Sequence, residues 1–314
     1  MLTGPNPPLV SIIIPTFNRL LYLRAAIDSA LNQTVRDIEV LVQDNASTDD
    51  PTPMVEALAD PRLRIIRNAA NIGQTANVVT ACTRAAGKYV AILGDDDLYQ
   101  PDFLEKLVPP MEHDSEIVVS FCSHDFIDRE GRLDVVRTEA CNRRFRHHLA
   151  EGVYGPFVDL ALIRRSICVV TGAVIRRDAI DWHAVPLDLP YMGDVYINYL
   201  AARTGKRCYY HPACLAQRRH LDQSASVEAT ASIQGMETLA RAALGCWDTF
   251  FRDNAVADGR RYFAMKRADN AIRILLCKLW LRKWRAMLRE LSIFLQHGVI
   301  GPRALLYHLK YGLH

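Results

Sequence analysis

Residues 89–97 read YVAILGDDD, an apolar run that leads through Gly94 directly into three consecutive aspartates. A short run of aromatic and β-branched residues is typical of a buried strand in a parallel sheet. On an extended chain Asp95 and Asp97 point to one side and Asp96 to the other. Such crowded carboxylates favour a divalent cation, Mn²⁺ or Mg²⁺, which keeps positions open for phosphate oxygens. The alternative is capping of a following helix.

Apolar runs and amphipathic segments alternate in the sequence before this stretch. The pattern predicts strands over 9–14, 38–42, 63–67 and 89–93, and helices over 20–31, 54–58 and 75–86. This alternation predicts a Rossmann-like α/β fold with a mostly parallel central sheet flanked by helices. Because ligands bind beyond the carboxyl ends of such strands, the polar loops at 15–18, 44–47 and 95–97 are expected to converge on one crevice.

The remainder of the chain has weaker periodicity. We expect strands over 117–121, 125–133 and 169–175, a helix over 194–204 and short strands over 207–210 and 215–218, with irregular chain between 133 and 169. Beyond residue 226 only helices are predicted, over 230–254, 260–296 and 303–311. We therefore expect a sheet-containing domain over 1–225 and a C-terminal helical extension over 226–314.

Composition excludes several classes of protein. A net charge of +3 on 314 residues does not indicate a nucleic-acid partner. The eight cysteines include no CxxC pair, which favours buried, reduced thiols over disulfides or a zinc site. No signal peptide is visible, and no run of about 18 apolar residues occurs. These features predict a cytoplasmic protein.

Several short motifs stand in a fixed order around the predicted crevice. They are PTFNR at 15–19, DNASTD at 44–49, NIG at 71–73, AGKY at 86–89, GDDD at 94–97 and PD at 101–102. Each motif alone is weak. Together, over about residues 10–220, the chain resembles the family 2 glycosyltransferases, which implies a GT-A type fold and an inverting sugar transfer.

The resemblance implies which residues bind the donor, a nucleoside-diphosphate sugar. The nucleotide-sugar site would comprise Pro15, Thr16, Asn18, Asp44, Asn71, Asn77, Asp95 and Arg219. Asp44 would accept the imide proton of a base, and since an ionised carboxylate only accepts, UDP- or dTDP-sugars are the expected donors. The alternatives are an Asx turn at Asp44, a turn residue at Asn71 and a polar helix position at Asn77.

The resemblance also implies a metal site formed by Asp96, Asp97 and His220, with Asp95 on the ribose and Arg219 on the diphosphate. Many members of the family have an aspartate where this chain has Gly94, so the division of roles among the three aspartates stays open. A single histidine at a strand end is also compatible with a hydrogen-bonded structural residue.

The segment YMGD at 191–194 resembles the family's catalytic-base segment. Asp194 would deprotonate an acceptor hydroxyl from the first turn of a helix, while the alternative is a plain N-cap aspartate. The acceptor is expected to be a glycan or a lipid-linked molecule, as in bacterial-type surface polysaccharide or glycolipid assembly.

The helical extension carries apolar residues at helical spacing, several arginines and lysines, and two tryptophans, Trp280 and Trp284. A basic amphipathic helix of this kind can lie on an anionic membrane, which would make the protein peripheral on the inner face. Its apolar face can equally pack on the catalytic domain or form a homodimer.

Two other functions are compatible with parts of this sequence. A sugar-nucleotide-forming nucleotidyltransferase should carry a glycine- and arginine-rich loop after the first strand, where this chain has PTFN. A catalytically silent binding module would share the crevice but would not need Asp194, so a substitution there distinguishes it from an enzyme.

Overall fold

The computed structural model describes residues 7–221 and 231–301. The first four strands are β1 (Val10–Thr16), β2 (Ile38–Asp44), β3 (Leu63–Arg67) and β4 (Tyr89–Ile92). They pair in parallel in the order β3-β2-β1-β4. All four predicted strands are confirmed, and the loops after β1, β2 and β4 lie at one edge because neighbouring parallel strands end on the same side.

Helices cover this parallel half. The first three, α1 (Leu20–Leu31), α2 (Thr52–Glu56) and α3 (Gln74–Arg84), contact β1, β2 or β3, whereas α4 (Phe103–His113) packs mainly on later strands of the sheet. The apolar residues of α1 recur at helical spacing, and its buried face is Leu23, Ala26, Ile27, Ala30 and Leu31. This face shares one core cluster with β1, β2, β4 and α4. Each fully buried aliphatic or aromatic side chain in such a cluster contributes about 1.5–3 kcal/mol, which holds the strand ends in place.

The other half of the sheet is mixed. Its elements are β5 (Leu98–Tyr99), β6 (Ile117–Ile127), α5 (Val135–Phe145), β7 (Gly152–Tyr154), β8 (Ala173–Arg176), α6 (Gly193–Ala202) and β9 (Arg207–Arg219). Strand β8 runs antiparallel between β4 and β6, while β9 is parallel to β6. Among the described strands four of eight pairings are parallel, so the predicted mostly parallel sheet holds only for the N-terminal half.

Four sequence predictions are wrong. The strand expected over 125–133 ends at Ile127, and the supposedly irregular chain that follows contains α5, which buries only Thr138. The two short strands expected over 207–218 form one strand, β9. The helix expected over 260–296 is broken at 281–283, where Arg282 has a φ of 56°. No glycine or proline marks that break.

The described chain forms two compact units, residues 7–188 with 193–221, and residues 189–192 with 231–301. The second contains α7 (Ile233–Arg252), α8 (Arg260–Trp280) and α9 (Trp284–Gln296). Apolar residues of all three helices share one cluster. Ion pairs join α7 to α8 through Glu237 and Lys278 (2.7 Å), and α7 to α9 through Arg241 and Glu290 (2.5 Å).

The expected domain boundary at 225/226 and the helix expected over 303–311 lie outside the described residues. Within 7–221 and 231–301, no helix is both long enough and apolar enough to cross a bilayer.

Candidate active site

The loops after β1 and β2 are joined through Asn18. Its side-chain oxygen accepts hydrogen bonds from the backbone N–H (2.8 Å) and the hydroxyl (3.0 Å) of Thr48. Its own N–H donates to the Ser47 hydroxyl at 2.9 Å. Asn18 has a φ of 55°, a left-handed conformation that asparagine adopts more readily than most residues. Asn18 thus fixes two of the predicted loops against each other.

Asp95, Asp96 and Asp97, which we call the acidic run, contact the loop after β1. Arg19 forms an ion pair with Asp96 at 2.6 Å, and Asp95 accepts hydrogen bonds from the Thr16 hydroxyl and the Phe17 N–H. Because Thr16 is buried and Pro15 half-buried, this loop is held firmly at the end of β1. The structure therefore brings together the first and third predicted loops.

Two of the three aspartates are hard to ionise. Burial, with a further contribution from Asp96, raises the pKa of Asp95 to about 7. Burial also raises the pKa of Asp97 to about 6, against the opposing charge of Arg218. Negative charge at this end of β4 is therefore destabilised until a positive charge compensates it.

Asp97 is hydrogen-bonded on both oxygens. One accepts from the Thr171 hydroxyl at 2.5 Å and the other from the Arg219 N–H at 2.8 Å. A Cβ at Gly94 would come within 2.7 Å of the Asp97 carboxylate, so a side chain at position 94 would require Asp97 to move. Asp97 thus points into the protein and anchors the acidic run.

Asp44 is fully buried at the end of β2. It accepts hydrogen bonds from the Ser47 hydroxyl and from the Ser47 N–H, and it pairs with Arg67 at 3.2 Å. Arg67 also reaches Asp50 at 2.6 Å. The position matches the predicted base-binding loop, but the carboxylate already has partners and no exposed surface.

A network of side-chain amides lies beside this loop. Asn77 donates to the Gln43 carbonyl at 2.9 Å and accepts from Asn68 at 2.9 Å, so both ends of its amide are bonded within the protein. Asn71 is exposed, and its oxygen accepts from Asn45 at 2.8 Å. Of the two, only Asn71 is available at the surface.

Asp194 lies half-buried in the first turn of α6. The preceding Gly193 packs tightly on α3, since a Cβ there would come within 2.7 Å of the Thr75 hydroxyl. Arg218 interacts electrostatically with both acidic segments: nearby Cys168, and then Asp97 and Asp194, raise its pKa. The positive charge of Arg218 therefore lies near enough to interact with both Asp97 and Asp194.

Arg219 is the last residue of β9, and His220 follows it. The Arg219 guanidinium donates to the backbone oxygens of Asp96 (3.0 Å) and Asp128 (2.7 Å), and it lies over the Tyr22 ring at 4.8 Å. The His220 N–H donates to the Ile127 oxygen at 2.9 Å. Arg219 thus supports the backbone of the acidic run. Its guanidinium is bonded to protein atoms, whereas the predicted phosphate-binding role requires it to contact the diphosphate.

A divalent cation fits part of this site. Across residues 7–221 and 231–301, no three histidine, cysteine or acidic side chains are arranged to hold a metal by themselves. Mg²⁺ and Mn²⁺ at nucleotide sites commonly need only one or two carboxylates, because phosphate oxygens and water complete the coordination. Asp96, whose side chain is 22% exposed and pairs with Arg19, meets that requirement. The Asp95 and Asp97 carboxylates already accept hydrogen bonds from the protein.

Sequence reasoning missed three residues of this site, Arg19, Thr171 and Arg218. Arg19 belongs to the quoted PTFNR motif and Arg218 directly precedes the predicted Arg219 and His220, so their positions were available but not their partners. Thr171 has no sequence signal. It has a φ of 76°, which is unusual for a β-branched residue, and it contacts Gly94 and Asp97 across more than 70 residues of chain.

Sequence comparison identifies related proteins. A profile described as Glycosyl transferase family 2 matches residues 11–181, more than half of the chain. Chondroitin synthase from Escherichia coli is 36% identical over 129 residues, which are 40% of this chain and 18% of that protein. The chain spans less than half the length of the first three curated relatives it matches.

Solved structures share the fold. S. aureus TarS 1-349 in complex with UDP-GlcNAc superposes with a TM-score of 0.65 at 15% identity, covering 94% of this chain and 82% of that one. The mannosyltransferase PcManGT from Pyrobaculum calidifontis, in complex with GDP-Man and Mn2+, gives a TM-score of 0.56 at 18% identity with the same coverage. The expected α/β fold of GT-A type is confirmed.

Proposed function

The chain belongs to glycosyl transferase family 2, and we propose that it moves a sugar from a nucleoside-diphosphate sugar to an acceptor hydroxyl with inversion at the anomeric carbon. The observation that carries this proposal is the attachment of the acidic run to the loop after β1, through Arg19 with Asp96 and Thr16 with Asp95. The two loops that a nucleotide diphosphate must contact are thereby held next to each other.

The nucleoside would lie along the loops after β1 and β2. Pro15, Thr16 and Asn18 supply the first wall, and Asn71 supplies an exposed amide near the second. Asp44 is proposed to accept the imide N–H of uracil or thymine, which requires the Ser47 hydroxyl to give up its present hydrogen bond. Asn77 then supports this loop, because its amide is already bonded to Gln43 and Asn68.

Asp96 is the proposed metal ligand, with Asp95 beside it on the nucleotide side. When bound, Mn²⁺ or Mg²⁺ would neutralise charge that develops on the leaving diphosphate. Asp97 and His220 stay weaker candidates for ligation, and Asp97 is better suited to positioning the run through Thr171 and Arg219. Arg19 supplies a positive charge beside the same carboxylates.

Asp194 is the proposed general base. Its carboxylate would take the proton of the acceptor hydroxyl while that oxygen attacks C1 of the sugar from the face opposite the diphosphate. The bond between C1 and the diphosphate oxygen then breaks, and the nucleoside diphosphate leaves with both electrons. Arg218, which interacts with both Asp97 and Asp194, keeps a positive charge near the two acids.

The acceptor is proposed to be a growing glycan or a lipid-linked molecule in surface polysaccharide or glycolipid assembly. The relation to a chondroitin synthase supports polymer synthesis. The helical region from residue 226 is proposed to contact either a membrane surface or a second copy of the chain. A cytoplasmic protein bound at the inner face of a membrane would lie next to a lipid-linked acceptor, and its basic helices would contact anionic lipids.

A donor screen tests the proposal. Thermal unfolding is measured with UDP-, dTDP- and GDP-sugars in Mn²⁺, in Mg²⁺ and in chelator. A cognate donor at 100 times its dissociation constant stabilises the native state by about 2.7 kcal/mol, and this gain should require the metal. If no nucleoside diphosphate stabilises the fold in Mn²⁺, the proposal is wrong.

The base assignment is tested on the donor found in this way. Asp194→Asn should lower kcat by about 10²- to 10⁴-fold while leaving the donor-induced thermal shift unchanged. The exposed Asp188→Asn serves as the matched control and should turn over normally. Normal turnover by Asp194→Asn would refute the assignment, and absence of turnover by the unmodified chain would favour a silent binding module.

A further inference from the structure

The second unit contains a cavity of about 420 Å³ between α7 and α8, a size typical of small-ligand sites. We call it the α7–α8 pocket. Apolar and thioether side chains form most of its wall: Met192, Met236, Leu239, Ala243, Leu276 and Trp280. Asn270 and Arg273 are the polar residues of the lining. A long, flexible apolar group with one polar end matches this composition.

Arg273 gives the pocket an uncompensated positive charge. It is exposed, and across the described ranges no ion pair joins it to a carboxylate. The acids on the two helices near it are already paired, Glu237 with Lys278 at 2.7 Å and with Arg241 at 2.9 Å, and Asp269, one turn before Arg273, with Lys266 at 3.9 Å. An anionic group is therefore the expected partner of Arg273.

The surface beside the pocket continues the same chemistry. Trp280 is 57% exposed, and Trp284 and Leu288 of α9 are 56% and 59% exposed. The basic residues around them, Arg282, Lys283, Arg285 and Arg289, are also exposed. Exposed tryptophans flanked by arginine and lysine are typical of protein surfaces that contact anionic lipids.

We propose that the α7–α8 pocket binds the alkyl chain of an anionic lipid, with Arg273 at the head group. The apolar wall accommodates the chain, the guanidinium pairs with a phosphate, and Trp280 lies where the chain leaves the pocket. An apolar side chain from a second copy would fill the wall but would leave Arg273 unpaired. This proposal is independent of the transferase activity.

The test is isothermal titration of the full chain with alkyl phosphates below their micelle-forming concentrations. Each added methylene should tighten binding about fourfold, so dodecyl phosphate should bind about fifteenfold tighter than decyl phosphate. Inorganic phosphate should not bind measurably, which separates a lipid from a free anion. Dodecyl maltoside, a neutral amphiphile, should bind more weakly than dodecyl phosphate.

Two variants locate the site. Ala243→Trp fills the pocket and should weaken dodecyl phosphate binding at least tenfold, whereas Ala242→Trp, one residue away and outside the lining, should bind within twofold of the unmodified chain. Arg273→Gln should weaken dodecyl phosphate and leave dodecyl maltoside unchanged, while the exposed Arg261→Gln on the same helix should change neither.

Absence of a chain-length effect in the unmodified protein overturns the proposal, whatever the variants do. Unchanged binding by a folded Ala243→Trp variant also overturns it. A third contrary result is a dimer that Ala243→Trp converts to a monomer without any alkyl phosphate binding, because the pocket would then belong to an interface between copies.

Discussion

The Thr171 hydroxyl donates a hydrogen bond to the Asp97 carboxylate at 2.5 Å and accepts one from the Gly94 N–H at 3.2 Å. Thr171 is fully buried and has a φ of 76°. Thr171 is thus hydrogen-bonded to the residue before the acidic run and to its last residue. We expect it to fix the position of the run, because the surrounding structure must compensate for its backbone strain.

Thr171→Val should therefore destabilise the protein by about 1–3 kcal/mol, since it leaves the buried Asp97 oxygen without its donor while keeping the β-branched shape. Thr171→Ser retains the hydroxyl and should lose much less stability. Urea unfolding of the three proteins measures the difference. Equal stability of the valine and serine variants would show that the hydroxyl does not hold the acidic run.

Gly94→Ala should destabilise by about 1–3 kcal/mol, because its Cβ would come within 2.7 Å of the Asp97 carboxylate and force that side chain or the loop to shift. Gly245→Ala is the control: it lies in α7 with open space around the added Cβ and should stabilise by up to about 1 kcal/mol. Thermal unfolding compares the two. A neutral Gly94→Ala would show that the Asp97 carboxylate does not need the space at position 94.

The acidic run predicts a pH dependence of the metal-free protein. The pKa of Asp95 is raised from 3.8 to about 7, so between about pH 4 and pH 7 the native state holds more protons than the unfolded chain. The free energy of unfolding contributed by this group is greatest below about pH 4 and is lost as pH rises through about 7. The pKa of Asp97 is raised to about 6, so the stability that Asp97 contributes is likewise lost as pH rises, but over the narrower range from about pH 4 to pH 6.

Asp95→Asn should remove this loss, so its stability relative to the unmodified chain should increase from pH 4 to pH 7. Urea unfolding in chelator at several pH values measures the difference, and Asp188→Asn corrects for the removal of an exposed carboxylate. A constant difference across that range would contradict a raised pKa at Asp95.

Arg19→Ala should lower the stability of the metal-free protein by about 1.5–3 kcal/mol, because Asp96 loses a half-buried, charge-assisted partner at 2.6 Å. The neighbouring surface pair offers a control: Arg24→Ala removes the exposed ion pair with Asp28 and should cost no more than about 0.5 kcal/mol. Chemical unfolding in chelator distinguishes them. Equal losses would show that Arg19 has no special relation to the acidic run.

The meeting of the loops after β1, β2 and β4 could be predicted from sequence because each loop follows a short apolar run. The spacing of Leu23, Ala26, Ile27 and Ala30 likewise predicted the buried face of α1, which is confirmed. Such signals are local, because the spacing of apolar residues along the chain indicates which face of a helix or strand is buried. The parallel pairing of β1 to β4 followed from the same alternation, whereas their order β3-β2-β1-β4 comes from the structure.

The remaining site depends on contacts that no local pattern encodes. Helix α5 buries only Thr138, so its sequence lacks the apolar stripe that identifies a helix. Thr171 reaches Asp97 from a distant segment, and Arg218 interacts with two acids that lie far apart in the chain. Because both Asp97 oxygens accept hydrogen bonds from the protein, we propose Asp96 rather than Asp97 as the metal ligand, and the sequence alone provided no ground for that choice.

The central claim is that the acidic run and the loops after β1 and β2 form a metal-assisted nucleotide-diphosphate site. Its most direct test is a crystal structure with Mn²⁺ and the nucleoside diphosphate of the donor found by thermal shift. We expect an anomalous peak for one manganese ion bound by both the Asp96 carboxylate and the diphosphate, and a nucleobase next to the loop at Asp44. A diphosphate bound elsewhere, or one bound at this edge without manganese at the acidic run, would contradict it.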